Sequence, residues 1–278
     1  MARTYLLSGP NGSGKSTFGL AEASEQSPIS YHEFEPGGFR RAAIRLGFDE
    51  KDLPNFIRLH QYRTPVPELE SMGEIQVTKN GNVLPQVRYM LEGWTIIIAE
   101  FNQNYMKDCK EGYRPITDTT TRLWLAQQQA WEQQVQEATN GGDSAKLDRL
   151  KYTTPNARMS GATEFAGAYG LDAIFISHEK QVYNSDPPVF TPDTWRESEN
   201  LVDVSLRFRV VNRQPVARIA KGAESGMALR DLDITEPTLG KCNAILDVAA
   251  ALASDHEEIP RDEEQLLNMA SMMGLWKK

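Results

Sequence analysis

The sequence predicts an α/β protein whose central sheet is mainly parallel and doubly wound, with helices on both faces. The first observation is the segment GPNGSGKS at 9–16, which matches G-x-x-x-x-G-K-[ST]. An apolar run, TYLLS, precedes it, and a helix-compatible run, STFGLAEA, follows it. The second observation is that short apolar segments alternate with helical periodicity along the chain, which is typical of a parallel sheet covered by helices.

The glycine-rich segment predicts an ATP site. A loop of this composition exposes successive backbone N–H groups to a phosphate chain, and the following helix directs its positive end there. Lys15 is expected at the β and γ phosphates, and the Ser16 hydroxyl at Mg²⁺. The predicted nucleotide-binding residues are Gly9, Pro10, Asn11, Gly12, Ser13, Gly14, Lys15, Ser16 and Thr17.

Composition sets the class of protein. Of 278 residues, 40% are hydrophobic and 24% charged, which is ordinary for a soluble globular chain. No apolar run approaches the roughly 18 residues that span a bilayer, and no signal-peptide pattern precedes the loop. The two cysteines form no C-x-x-C pair, which favours a cytoplasmic location. The net charge of −8 argues against a uniformly basic nucleic-acid surface, although it leaves room for a local basic groove.

We predict a core domain over residues 1–240, with a lobe or insertion at about 54–92 and an acidic, helical segment at 241–278. Within the lobe, Asn80-Gly81 is a favourable hairpin turn. The segment GWTIIIAEFNQNYMKDCKEG has both strand propensity and helical spacing, and we favour a helix. ITD is predicted to end a strand before a long Gln-rich helix, and AIFIS to form a buried strand.

Three carboxylates are candidates for chemistry. A second acidic motif at a strand end should hold Mg²⁺ through water, and Asp118 is our choice, with Glu100 as the rival. Threonines follow Asp118, so we expect the general base elsewhere. Glu35 lies about twenty residues beyond Lys15 after a short strand, where its carboxylate could orient water on the γ phosphate.

Several motifs together resemble the phage-type RecA-like ATPases, which are AAA-type NTP-binding proteins of phage recombination and replication clusters. The chain lacks the L-S-G-G-Q signature of ABC ATPases and the acidic pair of AAA-plus proteins. The resemblance covers most of residues 1–240, and it departs from the family at 54–92 and in the interrupted strand before Asp118. It rests on the segments SGPNGSGKST, FEPGG, ITDTTTRLW, YTTPNARM, AIFISHEK, WRESENLVDVSLRF and PVARIAKG.

This resemblance implies a RecA-like core in a homo-oligomer, with ATP at the subunit interfaces and single-stranded DNA at loops that follow the central strands. By position it implies that His178 senses the γ phosphate and moves the loop after it. Lys221 or Arg218 could reach a neighbour's γ phosphate as a trans-acting cation, although a solvated cation at a strand end is at least as common.

A basic stretch, KLDRLKYTTPNARM, is the sequence's candidate for contact with single-stranded DNA. Cations beside a stacking aromatic suit a single strand, whereas a basic stretch is more often a solvated helix face. Trp124 and Trp131 lie seven residues apart, which is more typical of a core stripe. The cations and the aromatic residue of the stretch are Lys146, Arg149, Lys151, Arg158 and Tyr152.

The sequence therefore predicts a Mg²⁺-dependent RecA-like ATPase that acts on single-stranded DNA in recombination or replication. Two alternatives stay open. A P-loop small-molecule or nucleotide kinase would replace water with an acceptor hydroxyl, although no arginine-rich lid is evident. A nucleotide-gated binding module would hold ATP with negligible turnover.

Overall fold

A computed structural model describes most of the chain. The described residues are 2–49, 51–63, 76–77, 83–84, 93–138, 153–182, 186, 189–195, 197–222 and 228–277.

Twelve strands and eight helices occupy the described residues. The strands are β1 (Thr4–Ser8), β2 (Ile29–Glu33), β3 (Ile57–Gln61), β4 (Gln76–Val77), β5 (Val83–Leu84), β6 (Arg114–Asp118), β7 (Ala173–Ile176), β8 (Glu179–Gln181), β9 (Phe190–Pro192), β10 (Val204–Val211), β11 (Gln214–Lys221) and β12 (Asp233–Thr235). The helices are α1 (Lys15–Leu20), α2 (Gly38–Leu46), α3 (Trp94–Lys110), α4 (Thr120–Ala138), α5 (Thr153–Ala168), α6 (Ser198–Leu201), α7 (Leu239–Ser254) and α8 (Glu263–Met272).

Eight strands form the main sheet in the order β12-β11-β10-β1-β7-β6-β2-β3. The six strands from β10 to β3 are parallel, and β11 and β12 continue the sheet in antiparallel fashion. One strand, β7, separates the phosphate-loop strand β1 from the strand that ends in Asp118. The predicted α/β fold, with a mainly parallel sheet and helices on both faces, is confirmed.

Helices cover both faces of this sheet, and β1 shows how the sequence divides between them. Tyr5 and Leu7 join the cluster beneath α1, α2, α7 and α8, whereas Leu6 joins the cluster beneath α3, α4 and α5. Successive strand side chains point to opposite faces, so a strand buried on both sides is apolar throughout. None of the described helices is long and apolar enough to cross a membrane.

The segment with ambiguous periodicity is a helix, as we favoured. Ile97, Phe101 and Tyr105 are buried along one side of α3, while Ile96 is 69% exposed. The strand before Asp118 also forms as predicted despite Pro115. The ladder between β6 and β7 begins only at Ile116, so the proline lies outside it on that side.

The predicted lobe at 54–92 and the predicted C-terminal segment at 241–278 both include residues that pack with the core. Residues 57–61 form β3, the edge strand of the main sheet, paired with β2. The Asn80-Gly81 turn lies outside the described residues, while β4 and β5 on either side of it pair antiparallel. The boundary at 240 falls in the first turn of α7, whose apolar side joins the core cluster.

Candidate active site

The phosphate loop connects β1 to α1, and its glycines have conformations that other residues rarely adopt. Gly9 has φ +141°, and a Cβ there would overlap the backbone carbonyl of Phe208 in β10. Gly14 has φ +103° and immediately precedes α1, which begins at Lys15. Side chains at φ above zero are strained, so the first and last glycines of the motif are required by this backbone.

Lys15 lies against its own loop. Its side chain is 7% exposed, and its Nζ donates hydrogen bonds to the carbonyls of Gly9 at 2.5 Å and Pro10 at 3.0 Å. Burial lowers the pKa of this lysine, and the negative charges of Asp118, Glu179 and Glu35 oppose that shift. In the part of the chain that the structure describes, no carboxylate forms a hydrogen bond with this cation, which suits a group that binds phosphate.

Asp118 ends β6 beside the start of α1. The Ser16 hydroxyl donates to its Oδ2 at 2.8 Å, and the Tyr31 hydroxyl of β2 donates to the same oxygen. Burial raises the pKa of Asp118, and these two hydrogen bonds oppose the rise. A Cβ on Gly38 would overlap that oxygen, so only glycine allows α2 to begin this close to the carboxylate.

The two candidates for the metal acid lie in different places, and the choice between them stays a prediction. Glu100 lies in the middle of α3, is exposed, and ends no strand. The strand propensity of WTIII therefore misleads, because burial of one helical side determines that segment. Asp118 is the strand-end carboxylate beside Ser16.

Glu35 and His178 meet across the mouth of the loop. His178 Nε2 lies 2.6 Å from Glu35 Oε2, and the backbone N–H of His178 donates to the Thr121 hydroxyl. Glu35 follows β2 and His178 follows β7, so both lie at the carboxyl edge of the sheet, where doubly wound sheets bind ligands. A carboxylate oriented by a histidine is a suitable general base.

These residues enclose one cavity of about 100 Å³, which we call the phosphate cleft. It is lined by Asn11, Gly12, Ser13, Gly14, Lys15, Ser16, Thr17, Glu35, Gly38, Arg41, Ala42, Arg45, Asp118, Thr119, Ile176 and His178. The cleft thus brings together the four residues predicted to be catalytic, namely Lys15, Glu35, Asp118 and His178.

The fold is similar to those of solved structures, among them a recombinase. The crystal structure of the RadB recombinase is 12% identical to this chain, with a TM-score of 0.45. The match covers 79% of this chain and 81% of that one. No family model and no curated protein matches the sequence.

Four residues at or near the cleft escaped the sequence analysis. Tyr31 contacts Asp118, and the buried Glu33 accepts hydrogen bonds from the backbone of Gly37 and Phe39 at the start of α2. Arg41 and Arg45 project from α2 into the lining. Their spacing of four residues directly after FEPGG was the available signal, since it places both on one helical side.

An apolar pocket of about 470 Å³ adjoins the phosphate cleft and shares the loop, Thr17 and Arg45 with it. Phe18 of α1 and Phe208 of β10 pack edge to face at its wall. Its remaining lining residues are Ala21, Val210, Arg213, Pro215, Glu236, Pro237 and Thr238. Pockets with apolar walls and a few polar groups at the rim suit planar rings such as nucleobases.

Both predicted trans-acting cations are engaged within their own chain. Arg218 forms two hydrogen bonds with the carboxylate of Asp233, at 2.8 and 3.0 Å. Lys221 Nζ donates to the carbonyls of Glu199, Asn200 and Val202 at the end of α6. In this conformation Arg218 links β11 to β12, and Lys221 links the end of β11 to the end of α6.

The first half of the basic stretch predicted for DNA lies outside the described residues, and it includes Lys146, Arg149, Lys151 and Tyr152. Arg158 is described, and its guanidinium donates to Gln134 of α4 at 3.0 Å. Burial lowers the pKa of Arg158. Trp124 is half-buried and packs against the core cluster, as its spacing suggested, although it also lines a groove of about 1010 Å³ beside β9 and α6.

Proposed function

We propose that this chain binds Mg²⁺-ATP in the phosphate cleft and hydrolyses it. The observation that carries the proposal is the contact between Ser16 and Asp118 at 2.8 Å, directly beside Lys15 at the start of α1. A hydroxyl and a carboxylate meeting at the first turn of a phosphate-loop helix form the oxygen donor set that Mg²⁺ prefers.

Each residue of the phosphate cleft has its own role in this reaction. Lys15 binds the β and γ phosphates, and Ser16 and Asp118 hold the metal ion, which neutralises charge on the phosphates. Glu35 orients a water molecule and accepts its proton, while His178 positions Glu35 through their hydrogen bond. The water oxygen forms a bond to the γ phosphorus as the bond to the β–γ bridging oxygen breaks, leaving ADP and inorganic phosphate.

The apolar pocket is suited to the base of the nucleotide. It shares the loop, Thr17 and Arg45 with the phosphate cleft, whereas Glu35 lines the cleft alone, so phosphates in the cleft and a base in the pocket fit one continuous ligand. A ring between Phe208 and Pro215 would be buried against apolar walls.

We propose further that single-stranded DNA stimulates this hydrolysis, in a RecA-like protein of a phage recombination or replication system. The resemblance in sequence supports this, as does the position of His178, which joins the proposed base to the hairpin of β8 and β9. DNA that favours one arrangement of this hairpin would bias Glu35 through His178. Coupling of this kind is typically about 1–3 kcal/mol.

Phosphate release, measured with and without single-stranded DNA, tests the proposal. We expect Mg²⁺-dependent turnover in the wild type and none in a folded Lys15→Ala variant, because the phosphates lose their cation. Turnover that is the same in both would overturn the nucleotide site. ATP consumption only with an added acceptor would indicate the kinase, and tight ATP binding without release would indicate a binding module.

A His178→Ala variant tests the DNA part separately. We expect ATP binding to stay close to that of the wild type and most of the DNA stimulation to be lost. Wild-type turnover that ignores single-stranded DNA at low and moderate salt would contradict the DNA proposal alone.

A further inference from the structure

Hydrolysis of ATP needs positive charge near the γ phosphate, and the cleft holds more of it than the phosphate loop supplies. Lys15 is the cation of the loop, and Glu35 and Asp118 are negative groups in the same lining. Charge that develops on the transferring phosphoryl group is commonly stabilised by an arginine, supplied either from the same chain or from a partner.

Two arginines of α2 have the position for this role. Arg41 and Arg45 are exposed, one helical turn apart, and both line the phosphate cleft. Among the described residues, neither guanidinium forms a hydrogen bond or an ion pair. Arginines in a chain with 38 acidic residues usually find a carboxylate, so two unpaired guanidinium groups at one cleft are available to an anionic ligand.

The start of α2 fixes where these arginines point. Glu33 accepts hydrogen bonds from the backbone of Gly37 and Phe39, and Gly38 lies against Asp118, so the helix is anchored at the metal acid. A Cβ on Gly37 would lie 2.9 Å from Nη1 of Arg41, which places that guanidinium beside the loop that carries Glu35. Arg45 also lines the apolar pocket.

We propose that Arg41 and Arg45 supply the cations for phosphoryl transfer from the same chain as the phosphate loop. The inference rests on the proposed hydrolysis of ATP, and it replaces the expected trans-acting cation, since Arg218 and Lys221 are both engaged. Arg41, beside the loop that carries Glu35, stabilises charge on the γ phosphoryl oxygens as the bond to the bridging oxygen breaks. Arg45, between cleft and pocket, binds the nucleotide before and during the reaction.

Three alanine variants test the assignment. Arg41→Ala should lower kcat by about 10²-fold or more at nearly unchanged KM, because the lost contact forms mainly in the transition state. Arg45→Ala should raise KM by roughly 10-fold with a smaller change in kcat. Arg40→Ala is the matched control on the same helix, because Arg40 lines a separate groove and should leave both constants unchanged. Equal constants in all three variants and the wild type would overturn the inference.

Mixing two inactive variants distinguishes a cation from the same chain from one supplied by a partner. Lys15→Ala keeps both arginines, and Arg41→Ala keeps the phosphate loop. If the arginine acts within its own chain, mixtures should show no more turnover than the sum of the separate proteins. Recovery of activity on mixing would place the arginine in a partner's site and overturn the proposal.

Nucleotide binding gives a readout that does not require turnover. The affinity for a fluorescent, non-hydrolysable ATP analogue with Mg²⁺ should fall at least 10-fold in the Arg41→Ala/Arg45→Ala double variant and stay unchanged in Arg40→Ala. A wild type that binds the analogue but never releases phosphate would refute the proposed hydrolysis while this comparison still tests the arginines. Equal affinity of double variant and wild type would refute the inference even if hydrolysis is normal.

Discussion

Two buried aspartates of this protein, Asp118 and Asp108, have opposite surroundings. They are 4% and 1% exposed. Asp118 accepts hydrogen bonds from two neutral hydroxyls, and burial raises its pKa. Asp108, near the end of α3, lies 2.7 Å from both His60 and Arg58 of β3. Burial alone would raise the pKa of Asp108, but the hydrogen bonds from these two groups outweigh it and the pKa is lowered.

The difference separates a structural cluster from a site prepared for a ligand. In the Asp108 cluster every charge has a partner, and His32, buried beside it, hydrogen-bonds to Tyr62 and Ser30. Burial lowers the pKa of His32 to about 3, so it is neutral at physiological pH. Among the described residues no cation forms an ion pair with Asp118, and buried carboxylates with raised pKa values cluster at functional sites.

The largest effect on stability should come from the structural cluster. Asp108→Ala should lower the free energy of unfolding by about 3 kcal/mol at pH 7, because His60 and Arg58 lose their shared partner. Urea denaturation measures this, with the exposed Asp255→Ala as a control that should change it by less than about 0.5 kcal/mol.

The pH dependence of this effect has a definite sign. A carboxylate whose pKa is lowered by folding stabilises the protein fully above its unfolded pKa of about 3.9, and the contribution is lost as the pH falls through the folded pKa. A difference between wild type and Asp108→Ala that persists unchanged at the lowest pH where both fold would contradict the ion-pair account.

In the phosphate cleft, the corresponding substitution should lower turnover and leave the free energy of unfolding unchanged. Glu35→Gln should slow ATP hydrolysis by about 10²-fold, the scale expected for loss of a general base, with nucleotide binding intact. Phosphate release and analogue binding measure the two properties, and Glu164→Gln, an exposed acid of α5, should match the wild type. Normal hydrolysis by Glu35→Gln would remove this residue from the mechanism.

Two substitutions of glycine by alanine should change the free energy of unfolding in opposite directions. Gly38→Ala should lower the free energy of unfolding by about 2 kcal/mol, because the new Cβ would overlap the Asp118 carboxylate. Gly161→Ala, on the exposed side of α5 with nothing within 4 Å, should instead raise it by up to about 1 kcal/mol through helix propensity. Thermal denaturation of both variants checks the opposite signs, and a Gly38→Ala variant as stable as the wild type would show that α2 moves easily at this point.

The smallest expected change in the free energy of unfolding is an increase. The Asp118→Asn variant should lose Mg²⁺-dependent turnover. Its free energy of unfolding at pH 7 without metal should nevertheless be about 1 kcal/mol higher than that of the wild type. The pKa of the wild-type carboxylate is raised on folding, so its proton is held more tightly in the folded state and stability falls as the pH rises from the unfolded towards the folded pKa. The asparagine variant lacks that loss, and its advantage should grow over this interval. A variant that is less stable at pH 7 would mean that the charge is already compensated.

The sequence could predict the part of the site whose residues lie close together in the chain. The loop at 9–17 and the strand-end position of Asp118 follow from neighbouring residues, because motif and burial period lie within one segment. The spacing of Arg41 and Arg45 predicts one shared helical side, but not where that side lies. The position of both arginines and of Tyr31 at the cleft depends on β6 lying beside β2 in the sheet, a pairing between segments about 85 residues apart.

The same reasoning explains where the fold was harder to predict. The strand IRLHQ at 57–61 lacks a strict apolar alternation, because it is an edge strand whose polar side chains enter the Asp108 cluster. Strand propensity in WTIII made Glu100 a candidate strand-end carboxylate, and the burial of Ile97, Phe101 and Tyr105 along one side of α3 shows that the segment is a helix. Which acid binds the metal stays a prediction.

The contact between Gly9 and Phe208 limits how short a working fragment of this protein can be. All predicted catalytic residues lie before residue 179, so their positions alone would suggest that the last hundred residues can be removed. The Phe208 carbonyl lies where a side chain on Gly9 would be, and the Phe208 ring packs edge to face on Phe18. A chain shortened before β10 would keep every predicted catalytic residue and lose the contacts that support the loop.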